Sequence, residues 1–149
     1  MVITVTGGID SLDMVHDAVH RMEDGAARRY DQLAAAAEAL NSPGAATTFR
    51  SLAAAARRRA RIYAGPLSPA STDALDAPDL PDGVMIGEWQ VLEIAQDMEY
   101  SMLTLLDVVE ALGETEEIRD EAAKLAERKR LHLAELAERQ SRDPPHSGI

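Results

Sequence analysis

The chain has no cysteine among its 149 residues, which excludes disulfides, thiolate metal sites and cysteine nucleophiles at once. Aromatic residues are almost as scarce. Trp89, Phe49, Tyr30, Tyr63 and Tyr100 are all there are, 3% of the sequence. A core with so few rings is filled by aliphatic side chains, and alanine and leucine dominate, a palette for helices packed closely along small residues. Long hydrophobic runs are missing too: no stretch approaches the ~18 apolar residues that a membrane-crossing helix needs. The opening "MVITVTGGID" has neither the charged start nor the apolar stretch of a signal peptide, so a cytoplasmic location is expected.

Positive charge is short in one half of the chain. Residues 1–64 hold eight Arg against seven acids, residues 65–149 hold seven Lys or Arg against nineteen, and the formal net charge is −11. That balance argues against nucleic acid or an anionic membrane surface as partner. No glycine-rich phosphate loop is present, and no serine, histidine and aspartate set suggests a nucleophilic triad.

What is present is helical periodicity in a chain long enough for one domain. Leu12, Val15, Val19, Met22, Ala26, Tyr30, Leu33, Ala37 and Leu40 recur every three or four residues, which predicts a helix from Ser11 to Leu40 with Asp10 or Ser11 as cap and "NSPG" at 41–44 as its end. Phe49, Leu52, Ala53, Ala56, Ala60 and Tyr63 mark a second helix closed by "AGP" at 64–66. Residues 65–83 contain four prolines and no helical period, which reads as a long connection. Trp89, Leu92, Ala95, Met98, Met102, Leu106 and Val109 predict a third helix ending at Gly113. Thr115, followed by Glu116 and Glu117, caps a fourth that runs through Ile118, Ala122, Leu125, Ala126, Leu133 and Leu136. Short turns make each pair an antiparallel hairpin. The expectation is a single all-α domain over 1–149: hairpin 11–64, crossover 65–83, hairpin 84–141 and tail 142–149. Extended chain covers about 3.3 Å per residue, so the crossover can run the length of a four-helix bundle.

The hairpins resemble each other. "HRMED" at 20–24 aligns with "QDMEY" at 96–100, setting Glu23 on Glu99, and "LAAAARRR" at 52–59 aligns with "LAERKRLH" at 125–132 at nearly the same separation. A helix with a Met-Glu step, a second with Leu-Ala-x-x-Glu-x-x-His, and the pair repeated once resembles the rubrerythrin-like branch of the ferritin-like superfamily over residues 12–140. The resemblance implies a ferritin-like bundle in which each half gives one glutamate and a Glu-x-x-His pair to a dinuclear iron site, used by the family as a peroxidase or ferroxidase. It also puts this chain's departures in view. In the first half the motif's glutamate falls on Ala56 and its histidine on Arg59; in the second the glutamate falls on Lys129 and the histidine on His132. Of six implied ligands, Glu23, Glu99 and His132 remain.

On a wheel of about 100° per residue Lys129 falls in the middle of the fourth helix's apolar face and His132 at its edge. A lysine there needs an anion. Glu23 and Glu99 supply two, and Arg59 a second cation, so a salt-bridged cluster is expected where the family has iron. The alternatives are a Glu23 or Glu99 head turned to the rim, and a Lys129 that snorkels outward. His16, His20 and Glu23 share one helix face at a spacing able to bind a divalent ion, or form a solvated flank. "RRRAR" at 57–61 is expected to pair with the acidic second half or with another chain.

Two functional expectations follow: a non-catalytic structural or interaction protein with no cofactor, or an iron-handling oxidoreductase with a reduced site at Glu23, Glu99 and His132. The absence of cysteine removes the rubredoxin-type centre of rubrerythrins as well. The family's habit of associating through its helices makes a homodimer the expected assembly, with a further protein partner open.

Overall fold

The computed structural model describes residues 8–65, 80 and 85–142. Almost all of the crossover expected over 65–83, and the tail from 143 onward, lie outside the described residues. Four helices make up the fold: α1 Leu12–Ala39, α2 Pro43–Ile62, α3 Glu88–Leu112 and α4 Glu116–Ser141. No strand occurs among the described residues; a parallel bridge joins Ile9 to Gly113. No helix among them is long and apolar enough to cross a membrane.

Each helix begins where its local chemistry sets it. Ser11 accepts the Met14 amide at 3.2 Å and Thr115 accepts the Ile118 amide at 3.2 Å, so α1 and α4 start behind hydroxyl caps. α2 starts earlier than the apolar stripe from Phe49 suggests. Proline is preorganised for a first helical turn and loses no needed donor there, so Pro43 and Gly44 open the helix, and Asn41, at φ 55, alone makes the left-handed turn. The "NSPG" segment is thus half turn and half helix.

The core follows the stripes. Val15, Val19, Met22, Ala26, Tyr30, Leu33 and Ala37 of α1 are buried against Phe49, Ala53, Ala56 and Ala60 of α2, while Leu92, Ala95, Met98, Met102 and Leu106 of α3 join Ile118, Ala122, Leu125 and Ala126 of α4. α1 packs chiefly on α2, and α3 on α4. Alanine at the contacts lets helix backbones approach closely.

At the ends of the helices, backbone groups tie the hairpins together in two places. Buried Ser42, in the α1–α2 turn, accepts the Ile86 amide at 2.8 Å just before α3. Ile9 donates to Leu112 O at 2.8 Å and accepts from the Glu114 amide at 2.9 Å, which pins the segment before α1 to the α3–α4 turn. Gly8 permits that approach, since a Cβ there would stand 2.3 Å from the Leu112 carbonyl oxygen.

Candidate functional site

Each helix sends a charged side chain into the middle of the molecule. Glu23 follows Met22 on the inner face of α1, and Glu99 follows Met98 on the inner face of α3; they are 3% and 0% exposed. Lys129 of α4 is 6% exposed. Arg59 enters from α2 with its side chain 29% exposed, between the buried positions Ala56 and Ala60 of the same helix.

The four groups meet. Arg59 Nε donates to Glu23 Oε2 at 2.8 Å, and its terminal nitrogen to Glu99 Oε1 at 3.3 Å. Lys129 Nζ donates to Glu23 Oε2 at 3.0 Å and to Glu99 Oε2 at 2.6 Å. Two carboxylates that would repel in a low-dielectric core are thereby bridged by two cations. Lys129 does not snorkel, and neither carboxylate turns to the rim.

Burial alone would push the Glu99 carboxyl up; the His132 imidazole, Lys129 and Arg59 outweigh it and hold the group at about 2. His132 Nδ1 stands 3.6 Å from Glu99 Oε2, too far for a hydrogen bond, so Lys129 at 2.6 Å carries more of that effect. Tyr30, fully buried nearby, is pushed well above its ordinary range by burial and by the charge of Glu99.

Three polar atoms around the cluster are buried without a hydrogen-bond partner: Glu23 Oε1, Tyr30 Oη and His132 Nδ1. None was visible in the sequence. Spacing places a residue on a face, but which oxygen finds a donor depends on packing across helices.

The other candidates separate. His16 Nε2 pairs with Glu121 Oε2 at 2.6 Å, and His20 Nδ1 donates to the Ala60 carbonyl at 2.8 Å, so His16, His20 and Glu23 do not converge. Among the described residues no group of three or more His, Asp or Glu side chains is placed to hold a metal. The basic run also divides: Arg57 pairs with Asp31 of α1, Arg59 enters the core, and Arg58 and Arg61 face outward. Arg57 thus binds the first half of the chain rather than the acidic second half, because α1 is the helix packed beside it.

As a donor set the cluster does not fit a dinuclear metal site. Three of the four carboxylate oxygens that could bridge two cations, all but Glu23 Oε1, already accept hydrogen bonds from Lys129 and Arg59, and Ala56 offers no ligand. Comparison with protein-family models, with curated proteins and with solved structures finds no match for this chain.

Proposed function

We propose that the chain is a ferritin-like bundle of the rubrerythrin type whose dinuclear iron site is replaced by ion pairs, and that it acts as a non-catalytic structural or interaction protein. The observation that carries this reading is Lys129 Nζ, seated between Glu23 and Glu99 at 3.0 and 2.6 Å. It occupies the position where the motif it resembles has a ligating glutamate, and its charge opposes a divalent ion there.

Helix directions support the arrangement. The Ser42–Ile86 hydrogen bond brings the starts of α2 and α3 to one end of the molecule. The His16–Glu121 pair brings the second turns of α1 and α4 together near the other. The end of α2 and the start of α3 thus lie about 30 Å apart at 1.5 Å per residue, a span that the proposed ferritin-like crossover would cover. Pairing with a second copy is part of the proposal.

The competing reading, an iron-handling protein with a reduced site at Glu23, Glu99 and His132, draws on the unpartnered His132 Nδ1. One experiment separates the two. The full chain is loaded anaerobically with ferrous iron, freed of excess, assayed for metal, and followed by absorption after oxygen, with its mass read by light scattering. The expected result is a dimer with near-zero iron and no oxo-bridged band. About one iron per chain would favour the reduced site. About two per chain with an oxo-bridged band would overturn the ion-pair reading.

A further inference from the structure

A cavity of about 190 Å³ lies between α1, α2 and α4, with Leu106 of α3 in its wall. Val19, Met22, Leu106 and Leu125 form its apolar part. An apolar cavity of about 150 Å³ holds a benzene ring, so a single ring fits the volume here. Ile62 is 71% exposed and Arg128 is exposed as well, and these two lining residues mark the open side.

Charge decides what kind of molecule suits the space. Arg59, Arg128 and Lys129 all line it. Two of these cations are already balanced, since Arg59 and Lys129 each pair with both Glu23 and Glu99. Arg128 is not. It donates from Nη1 to Tyr63 Oη at 3.0 Å, and among the described residues it has no carboxylate partner. Arg59 also keeps a spare donor. Its Nε and one terminal nitrogen go to the two glutamates, while the other terminal nitrogen has no partner among the described residues and is not sealed from solvent. The wall therefore carries one uncompensated positive charge beside an apolar space. A cation is repelled there, and a monoanion restores neutrality. The planar guanidinium fork matches a carboxylate. A carboxylate is costly to bury, so it belongs at the open side with Arg128, and the apolar body belongs inside.

We propose that this cavity is a binding site for a small apolar monocarboxylate of the benzoate class. The carboxylate accepts hydrogen bonds from the Arg128 guanidinium at the open side, and the ring packs among Val19, Met22, Leu106 and Leu125. Arg128 is the specificity-determining residue, because it supplies the one charge in the wall that no glutamate balances. The proposal uses only the cavity and its charges and holds whether or not the chain is ferritin-like.

The test titrates the full chain at neutral pH with benzoate and, separately, with benzamide, which has nearly the same shape and no charge, and with acetate, which has the charge and no ring. Backbone and methyl chemical shifts report where each binds. The expected result is saturable one-to-one binding of benzoate, about tenfold tighter than benzamide or acetate, with shifts centred on Val19, Met22, Leu106 and Leu125. Arg128→Gln should lower benzoate affinity to the level of benzamide and leave benzamide binding and helical circular dichroism unchanged, since Arg128 is exposed and its one hydrogen bond is to Tyr63. Four outcomes overturn the proposal: no saturation by benzoate, benzamide or acetate binding as tightly as benzoate, benzoate affinity unchanged in Arg128→Gln, or shifts mapping elsewhere.

Discussion

Lys129 gives up nearly all its hydration to sit between Glu23 and Glu99, and in exchange makes hydrogen bonds of 3.0 and 2.6 Å to charged acceptors. Desolvation offsets much of the attraction in such a pair, so the intact cluster is a weak source of stability; removing one partner is a different matter, because it leaves the others buried and uncompensated. Lys129→Met should therefore destabilise the protein by about 3–5 kcal/mol at neutral pH, read by urea denaturation. The loss should shrink as pH falls, because protonating one carboxyl relieves the repulsion that Lys129 had balanced. Adding Glu99→Met to the variant should recover part of the loss, since residues of one network do not add independently. Unchanged stability in Lys129→Met would show that neither carboxylate depends on it. The meeting of Glu23, Arg59, Glu99 and Lys129 was legible in the sequence because the repeat matched Glu23 with Glu99, the motif it resembles put Arg59 and Lys129 at ligand positions, and the helical period put Lys129 inward. The cavity beside them and the orphaned Glu23 Oε1 were not. Both depend on the spacing between helices, which no single-helix period encodes.

At the scale of the element, the apolar stripes, the Thr115 cap and the stop at Gly113 were all readable because each is decided within one turn of chain. What joins one hairpin to the other was not. Ser42 looks like an ordinary turn residue, yet it is 3% exposed and its Oγ accepts the Ile86 amide at 2.8 Å. Ser42→Ala leaves that amide buried without a partner. It should cost about 1–3 kcal/mol, seen in denaturation, with faster hydrogen exchange at Ile86; an exchange rate at Ile86 matching the parent protein would show that the tie does not hold the start of α3. α3 also differs from its neighbours in being apolar beyond its buried face. Leu105, Val108 and Leu112 are 43%, 47% and 48% exposed, and the stripe through Leu106 and Val109 gave no warning of them, since they lie on the adjoining face of the helix.

The whole molecule carries a net charge of −11 with a pI near 4.7, so mild acidification first relieves its self-repulsion. The cluster acts in the opposite direction further down. The Glu99 carboxyl is held at about 2 against an ordinary 4.5, and a carboxyl whose folded value is depressed stabilises the native state above the ordinary value and loses that contribution as pH falls through the folded one. The window is therefore pH 4.5 to about 2. A shift of this size on a fully buried group corresponds to about 3 kcal/mol. Other carboxylates titrate in the same range, so the useful quantity is the difference between the parent protein and Glu99→Gln, measured by urea denaturation at each pH. Glu99→Gln should be the less stable at neutral pH, because Lys129 then keeps Glu23 alone as its anion. The gap should close by about 3 kcal/mol on going from pH 5 to pH 2 as the parent's own Glu99 becomes neutral. Curves that stay parallel through that window would mean that the Lys129 and Arg59 charges do not hold the Glu99 carboxyl down, and the ion-pair network would lose its role as the electrostatic centre of the fold.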